Sequence, residues 1–178
     1  MPMPTTQTTG TTSRAREHAP AHPDAGAGAG TPVSPDWDRP ADPPAGQAST
    51  HVRAYVDSAG ADGHLWHGVP TLLLTTLDRL SGRPVRTPLI YARDEGRHIV
   101  LATAADGTPG VPSWYRNLAA HPEVRLQVGA LTARARARTA TPAERETYWE
   151  ALTALWPAYE DHQAAAAPRE IPLVIIER

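Results

Sequence analysis

The apolar pattern predicts an α+β, mainly β domain, a small antiparallel barrel or sheet with flanking helices behind a disordered N-terminal tail. Three observations carry this. The strand-like runs come in hairpins instead of alternating singly with helices, which disfavours a doubly wound parallel sheet. The helical patterns are few and short. Proline and glycine crowd residues 1–48, with 9 and 5 respectively, where the only large apolar side chains are Met1, Met3, Val33 and Trp37. Such a stretch buries too little surface to offset chain entropy, so residues 1–48 read as a tail and residues 49–178 as the folded domain. Ala25 to Gly30 (AGAGAG) reads as a flexible spacer, and Trp37 as an isolated exposed aromatic.

The elements follow in order. His51 to Ala59 sets Val52, Tyr55 and Val56 at i, i+3 and i+4, the apolar face of a short helix. Pro70 to Thr76 is a buried strand, Asp78 to Arg83 its turn, and Val85 to Arg93 a second strand. Pro88 lacks a ladder donor and marks that strand as an edge or bulge. Asp94 to Arg97 turns the chain into a third strand, His98 to Ala102, to give a three-stranded meander. Ala104 to Val111 is a loop, and Pro112 opens a helix to Ala120. Val124 to Thr139 alternates around a Gly129-Ala130 hairpin turn, and Ala133, Ala135 and Ala137 interleave with Arg134, Arg136 and Arg138. Thr141 and Glu144 form a capping box for a helix to about Leu155. A loop or short helix spans Trp156 to Arg169, and Ile171 to Glu177 is the last strand.

Composition excludes several chemistries. There is no cysteine, so there is no thiolate nucleophile, disulfide or cysteine-held metal. All 17 Lys-plus-Arg residues are arginine, which removes Schiff-base catalysis and the phosphate-loop lysine. A net charge of −2 gives no nucleic-acid signal. No apolar run is long enough to span a bilayer and the N-terminus has no secretory apolar stretch, so the expected location is the cytoplasm.

Five clusters could carry chemistry. Arg79 to Pro88 sets Arg79, Arg83 and Arg86 around Ser81 and Gly82, which suits a phosphate or carboxylates as readily as a solvated hairpin loop. Trp114-Tyr115 with Asn117 reads as core before stacking platform. His64 and His67, at i, i+3 between glycines and without a carboxylate, make a poor zinc pair. The Arg134 to Arg138 stripe faces solvent or a polyanion, and Tyr159 or His162 could donate a proton in a cleft.

Gly63 to Trp66, Thr71 to Thr76, Arg79 with Ser81-Gly82, Arg86-Thr87, Trp114-Tyr115 with Asn117-Leu118, His121-Pro122, Trp156-Pro157 with Tyr159, and Glu170 to Pro172 occur in one order over residues 49–178. That ordered series resembles the deazaflavin-dependent nitroreductase family. The resemblance implies a split β-barrel of the flavin-reductase type that binds coenzyme F-420, an 8-hydroxy-5-deazaflavin with a phosphate and an oligoglutamate tail, with FMN ranked behind it. It implies hydride transfer to an electron-poor hydrophobic small molecule (enone, quinone or nitro compound), as in secondary-metabolite tailoring, by a monomer or homodimer.

Carried over by position, Arg79, Ser81, Gly82 and Arg86 would meet the phosphate or tail, and Pro88, Leu89, Ile90, Ala102, Thr103 and Asn117 would surround the ring. Tyr159 would be the catalytic donor, with Trp156 and His162 beside the substrate. Asp78 and Leu80 depart from the basic run the family commonly has before Ser-Gly, and the Ala104 to Val111 loop lacks its basic residue. The alternative is a member with an eroded cofactor site, its barrel pocket used for cofactor-independent isomerisation or cyclisation or for ligand binding.

Overall fold

A computed structural model describes residues 34–103 and 110–178. The elements are α1 (Gln47–Asp57), β1 (Leu65–Trp66), β2 (Val69–Leu77), β3 (Pro84–Ile90), β4 (Ala92–Asp94), β5 (Arg97–Leu101), α2 (Ser113–Ala120), β6 (Glu123–Val128), β7 (Leu131–Thr139), α3 (Pro142–Leu155), α4 (Ala158–Ala166) and β8 (Leu173–Glu177). The sheet runs β1-β2-β6-β7-β8-β5-β4, and β3 also pairs with β2. All of these ladders are antiparallel.

The expected meander is replaced by two hairpins. The single strand anticipated over 85–93 breaks at Tyr91, whose N–H donates to Pro70 O and ends the pairing with β2, while Ala92 opens a new ladder opposite Ile99. Two successive pieces of chain therefore sit at opposite ends of the sheet path, β3 beside β2 and β4 beside β5, which closes the sheet into a split barrel. Pro88 fits because β3 is an edge. Arg86 donates its N–H outward to Ala41 O, so Pro88, two residues on, has its missing donor on that outer side.

Inside the barrel, Leu72 and Leu74 of β2, Leu126 of β6, Ala135 and Ala137 of β7, Ile99 of β5 and the whole run Leu173 to Ile176 of β8 form one core with Trp114 and Leu118 of α2 and Leu152 of α3. On the other face of β2, Leu73 packs with Val52 and Tyr55 of α1. The Tyr55 hydroxyl donates to Thr71 O at 3.1 Å and accepts from Gly129 N–H at 2.8 Å, which pins α1 to the β6–β7 turn. The capping box of α3 forms as expected: Thr141 Oγ1 accepts from Glu144 N–H, and Glu144 accepts from Thr141 N–H.

Of the segment read as tail, residues 1–33 lie outside the described residues, whereas residues 34–46 are described and lie against β3. Ala41 bridges Val85 in parallel, and Trp37 is not an isolated exposed ring but lies beneath the Arg125 guanidinium, 5.8 Å from it. α1 begins at Gln47, with Ser49 Oγ accepting from Gly46 N–H. The short strand β1, between His64 and His67, pairs with β2 and is not among the elements the sequence predicts.

Candidate functional site

A cavity of about 490 Å³ opens where β3, the end of β5, α1, α2 and α4 converge. Each element contributes for a local reason. The edge strand β3 presents Thr87 to Ile90, none of them fully buried, because no further strand covers that end. Proline at 112 starts α2 beside the cavity and leaves Val111, Pro112, Ser113 and Trp114 on its wall. Trp156 and Pro157 end α3 and begin α4, so Trp156, Tyr159 and His162 line the cavity from one short stretch.

Seven of the expected site residues meet there: Pro88, Leu89, Ile90, Thr103, Trp156, Tyr159 and His162. Burial raises the Tyr159 phenol above its ordinary value, so the hydroxyl stays protonated, and it has no hydrogen-bond partner among the described residues. Nδ1 of His162 is likewise buried without a partner, and the two rings meet edge to face with centroids 5.9 Å apart. Two polar side chains without partners at an apolar wall are equipped to meet a polar group on a bound molecule.

The remaining expected residues lie elsewhere. Ala102 is fully buried and its N–H donates to Pro172 O. Asn117, 2% exposed, braces the β2–β3 turn: its Oδ1 accepts from Arg79 N–H and its Nδ2 donates to Thr76 Oγ1. Asn117 thus positions the arginine turn from beneath and is not on the cavity wall. Ser81 turns inward on its own loop, where Asp78 Oδ1 accepts from the Ser81 hydroxyl at 2.7 Å and from the Ser81 and Leu80 N–H groups. Those bonds from Ser81, with smaller contributions from Leu80 N–H and the Arg79 charge, hold the Asp78 carboxyl below the usual carboxylate range. Gly82 closes the turn with φ +68 and donates to Asp78 O. Arg86 pairs with Asp42 at 3.2 Å.

Several wall residues were missed. His51 stacks on Trp66, with centroids 4.7 Å apart, and its Nε2 donates to Gly63 O at 2.6 Å, while Gln47 and Ala48 extend that wall. The apolar spacing starts the helix only at His51, and Gly63 to Trp66 enters the sequence argument through the motif series and the poor zinc pair, not as a cavity wall. His64 instead lies 3.2 Å from the Tyr55 hydroxyl, and His67 packs against Trp66. No group of three His, Cys, Asp or Glu side chains converges among the described residues. The arginine stripe is largely paired: Arg136 with Glu123, and Arg138 with Glu144 and Glu177, while Arg134 stays exposed.

A split antiparallel barrel with a mostly apolar cavity under its edge strand is the architecture of the flavin-reductase-like class. Residues 47–178 match the model of the F420H(2)-dependent quinone reductase family, and the chain belongs to that family. It is 30% identical over 136 residues, 72% of this chain and 87% of the relative, to an F420H(2)-dependent quinone reductase of Mycobacterium tuberculosis. A putative F420H(2)-dependent quinone reductase of the same organism is 35% identical over 61% of this chain and 89% of its own. Among solved structures, an F420-H2 dependent reductase superposes with a TM-score of 0.56 at 33% identity, covering 61% of this chain and 94% of that one. A chain described as a domain-swapped dimer gives 0.58 at 29%, covering 72% and 92%. The protein is therefore an F420-dependent reductase. No described helix is long and apolar enough to cross a membrane.

The residues present fit the cofactor. The apolar face Pro88-Leu89-Ile90, with His162 Nδ1 and the Tyr159 hydroxyl unpartnered among the described residues, suits a flat polar-edged ring.

Proposed function

We propose that this reductase acts on a flat, hydrophobic, electron-poor acceptor, a quinone, conjugated enone or nitro compound, and that Tyr159 is its proton donor. The observation that carries the reading is the Tyr159 side chain, 5% exposed and with its hydroxyl unpartnered among the described residues, at the wall of an aromatic-sided cavity. When bound, reduced F420 supplies the hydride. Pro88, Leu89, Ile90 and Thr103 would hold the ring, and Arg79, Ser81, Gly82 and Arg86 would hold the phosphate and acidic tail. Trp156 and Trp66 wall the acceptor and exclude water. Hydride arrival at the acceptor leaves negative charge on its oxygen, and a neutral phenol held in an apolar wall is a donor that stabilises that oxygen and then passes it a proton. Burial that raises the phenol keeps this donor protonated through the neutral range. His162 serves the same end of the acceptor through its free Nδ1.

Tyr159→Phe tests the reading. Turnover with menadione as acceptor should fall about 100-fold or more while F420 binding, followed by deazaflavin fluorescence, is kept. A Tyr159→Phe enzyme that binds F420 and retains full turnover overturns the role. A protein that binds no deazaflavin at tens of micromolar favours the cofactor-independent alternative, which the inward-turned Ser81 and the Asp42-paired Arg86 would suit.

A further inference from the structure

The β2 ladders carry a charged row. Thr75 stands opposite Arg86 on β3 and opposite Arg125 on β6, and Arg125 stands opposite Arg134 on β7. Directly paired antiparallel residues share a face, so Arg86, Thr75, Arg125 and Arg134 form one line across four strands. An acidic piece of the same chain lies over it. Asp42 pairs with Arg86, Asp38 with Arg125, and Trp37 sits under the Arg125 guanidinium. Two backbone bonds fix the segment to the edge of β3, Ala41 N–H to Pro84 O and Arg86 N–H to Ala41 O, both 2.8 Å.

We infer that this arginine row is a track for an extended chain of carboxylates and that residues 37–42 are a strap that fills it until such a ligand displaces them. The strap already has the carboxylates of that ligand, Asp38 on a turn and Asp42 just past the Ala41 bridge, and they reach two guanidiniums on the strands that flank β2. Its hold is also slight. The Asp38 and Asp42 side chains are 84% and 46% exposed, and exposed ion pairs are individually weak and screened by salt. None of the strap's side chains belongs to either buried core cluster. A segment with few buried contacts opens at low cost. Identifying the ligand as the acidic tail of F420 rests on the proposed role of Arg86; the track itself rests on the arginine row.

The test uses the full chain and its Asp38→Asn/Asp42→Asn variant, with an oligoglutamate peptide and with F420 bearing either a long or no glutamate tail. At low salt the variant should bind the peptide and the long-tailed cofactor about fivefold more tightly than the wild type, the effect of removing two competing exposed ion pairs. The tail-less form should be unchanged. In the wild type, the peptide should accelerate hydrogen exchange at the Ala41 and Arg86 amides, and high salt should abolish that acceleration. Equal affinity of variant and wild type for the peptide, or exchange at those amides unchanged or slowed by it, overturns the strap. Absence of deazaflavin binding in both proteins would instead overturn the proposed function, and the peptide arm would still decide the inference.

Discussion

Single side chains in this molecule are settled by what they lack as much as by what they touch. Tyr159 and Tyr55 are both buried tyrosines with raised phenols. Tyr55 spends its hydroxyl on Thr71 O and Gly129 N–H, whereas that of Tyr159, at the cavity wall, has no partner among the described residues. The first is structural and the second is available to a ligand. Tyr55→Phe should lower unfolding stability by about 1–3 kcal/mol, because it strands a buried carbonyl and a turn N–H, and urea denaturation measures it. Turnover per folded molecule should be retained. The sequence sets Tyr55 on the apolar face of a short helix and Tyr159 in the motif that follows Trp156-Pro157, but no local pattern shows which hydroxyl is already spent. Only the partner atoms, 16 and 74 residues away from Tyr55, do so.

Among the elements, signals confined to a few neighbouring residues were legible. Thr141 with Glu144, Pro112 before α2 and Gly129-Ala130 between β6 and β7 each act within one turn of chain, and each appears where expected. Thr141→Ala should lower the melting temperature through loss of about 1 kcal/mol of cap. Glu144→Gln should cost more than an ordinary surface change. Its carboxylate accepts two bonds of 2.8 Å from Arg138 besides the cap, and these hold its pKa down at about 2. What could not be read were joints between elements. Gly60, just beyond α1, has φ +84, and a methyl there would lie 2.4 Å from Gly129 Cα. Gly60→Ala should therefore destabilise by more than about 2 kcal/mol, since backbone must move as well as strain. Thermal unfolding checks it, with Gly68→Ala, which meets nothing within 4 Å, as the milder comparison at a similar φ.

At the scale of the whole molecule, stability should depend on acid through one buried histidine. His98 is 2% exposed, its Nδ1 has no partner among the described residues, and burial, with Arg178 and Arg93 nearby, lowers its pKa from 6.5 to about 4. Between those values the unfolded chain binds the proton and the folded chain does not. Stability is therefore whole above about pH 6.5 and falls as pH drops toward 4, by up to about 3 kcal/mol. Urea midpoints at pH 7.5, 5.5 and 4.5 should show that slope, and His98→Phe should flatten it. The sequence by itself determined the mainly β hairpinned architecture, the capped helices and the family, because periodicity, turn chemistry and an ordered motif series are properties of short stretches. It also brought Pro88, Leu89, Ile90, Trp156, Tyr159 and His162 into view. The tertiary structure decided the rest. It split one expected strand at Tyr91 to close the barrel, laid residues 37–42 over Arg86 and Arg125, turned Ser81 inward on Asp78, and moved Asn117 from the cavity wall to beneath the arginine turn. Each of those outcomes depends on which distant strand or segment comes to lie alongside, and that is set by closure of the sheet, not by any local pattern.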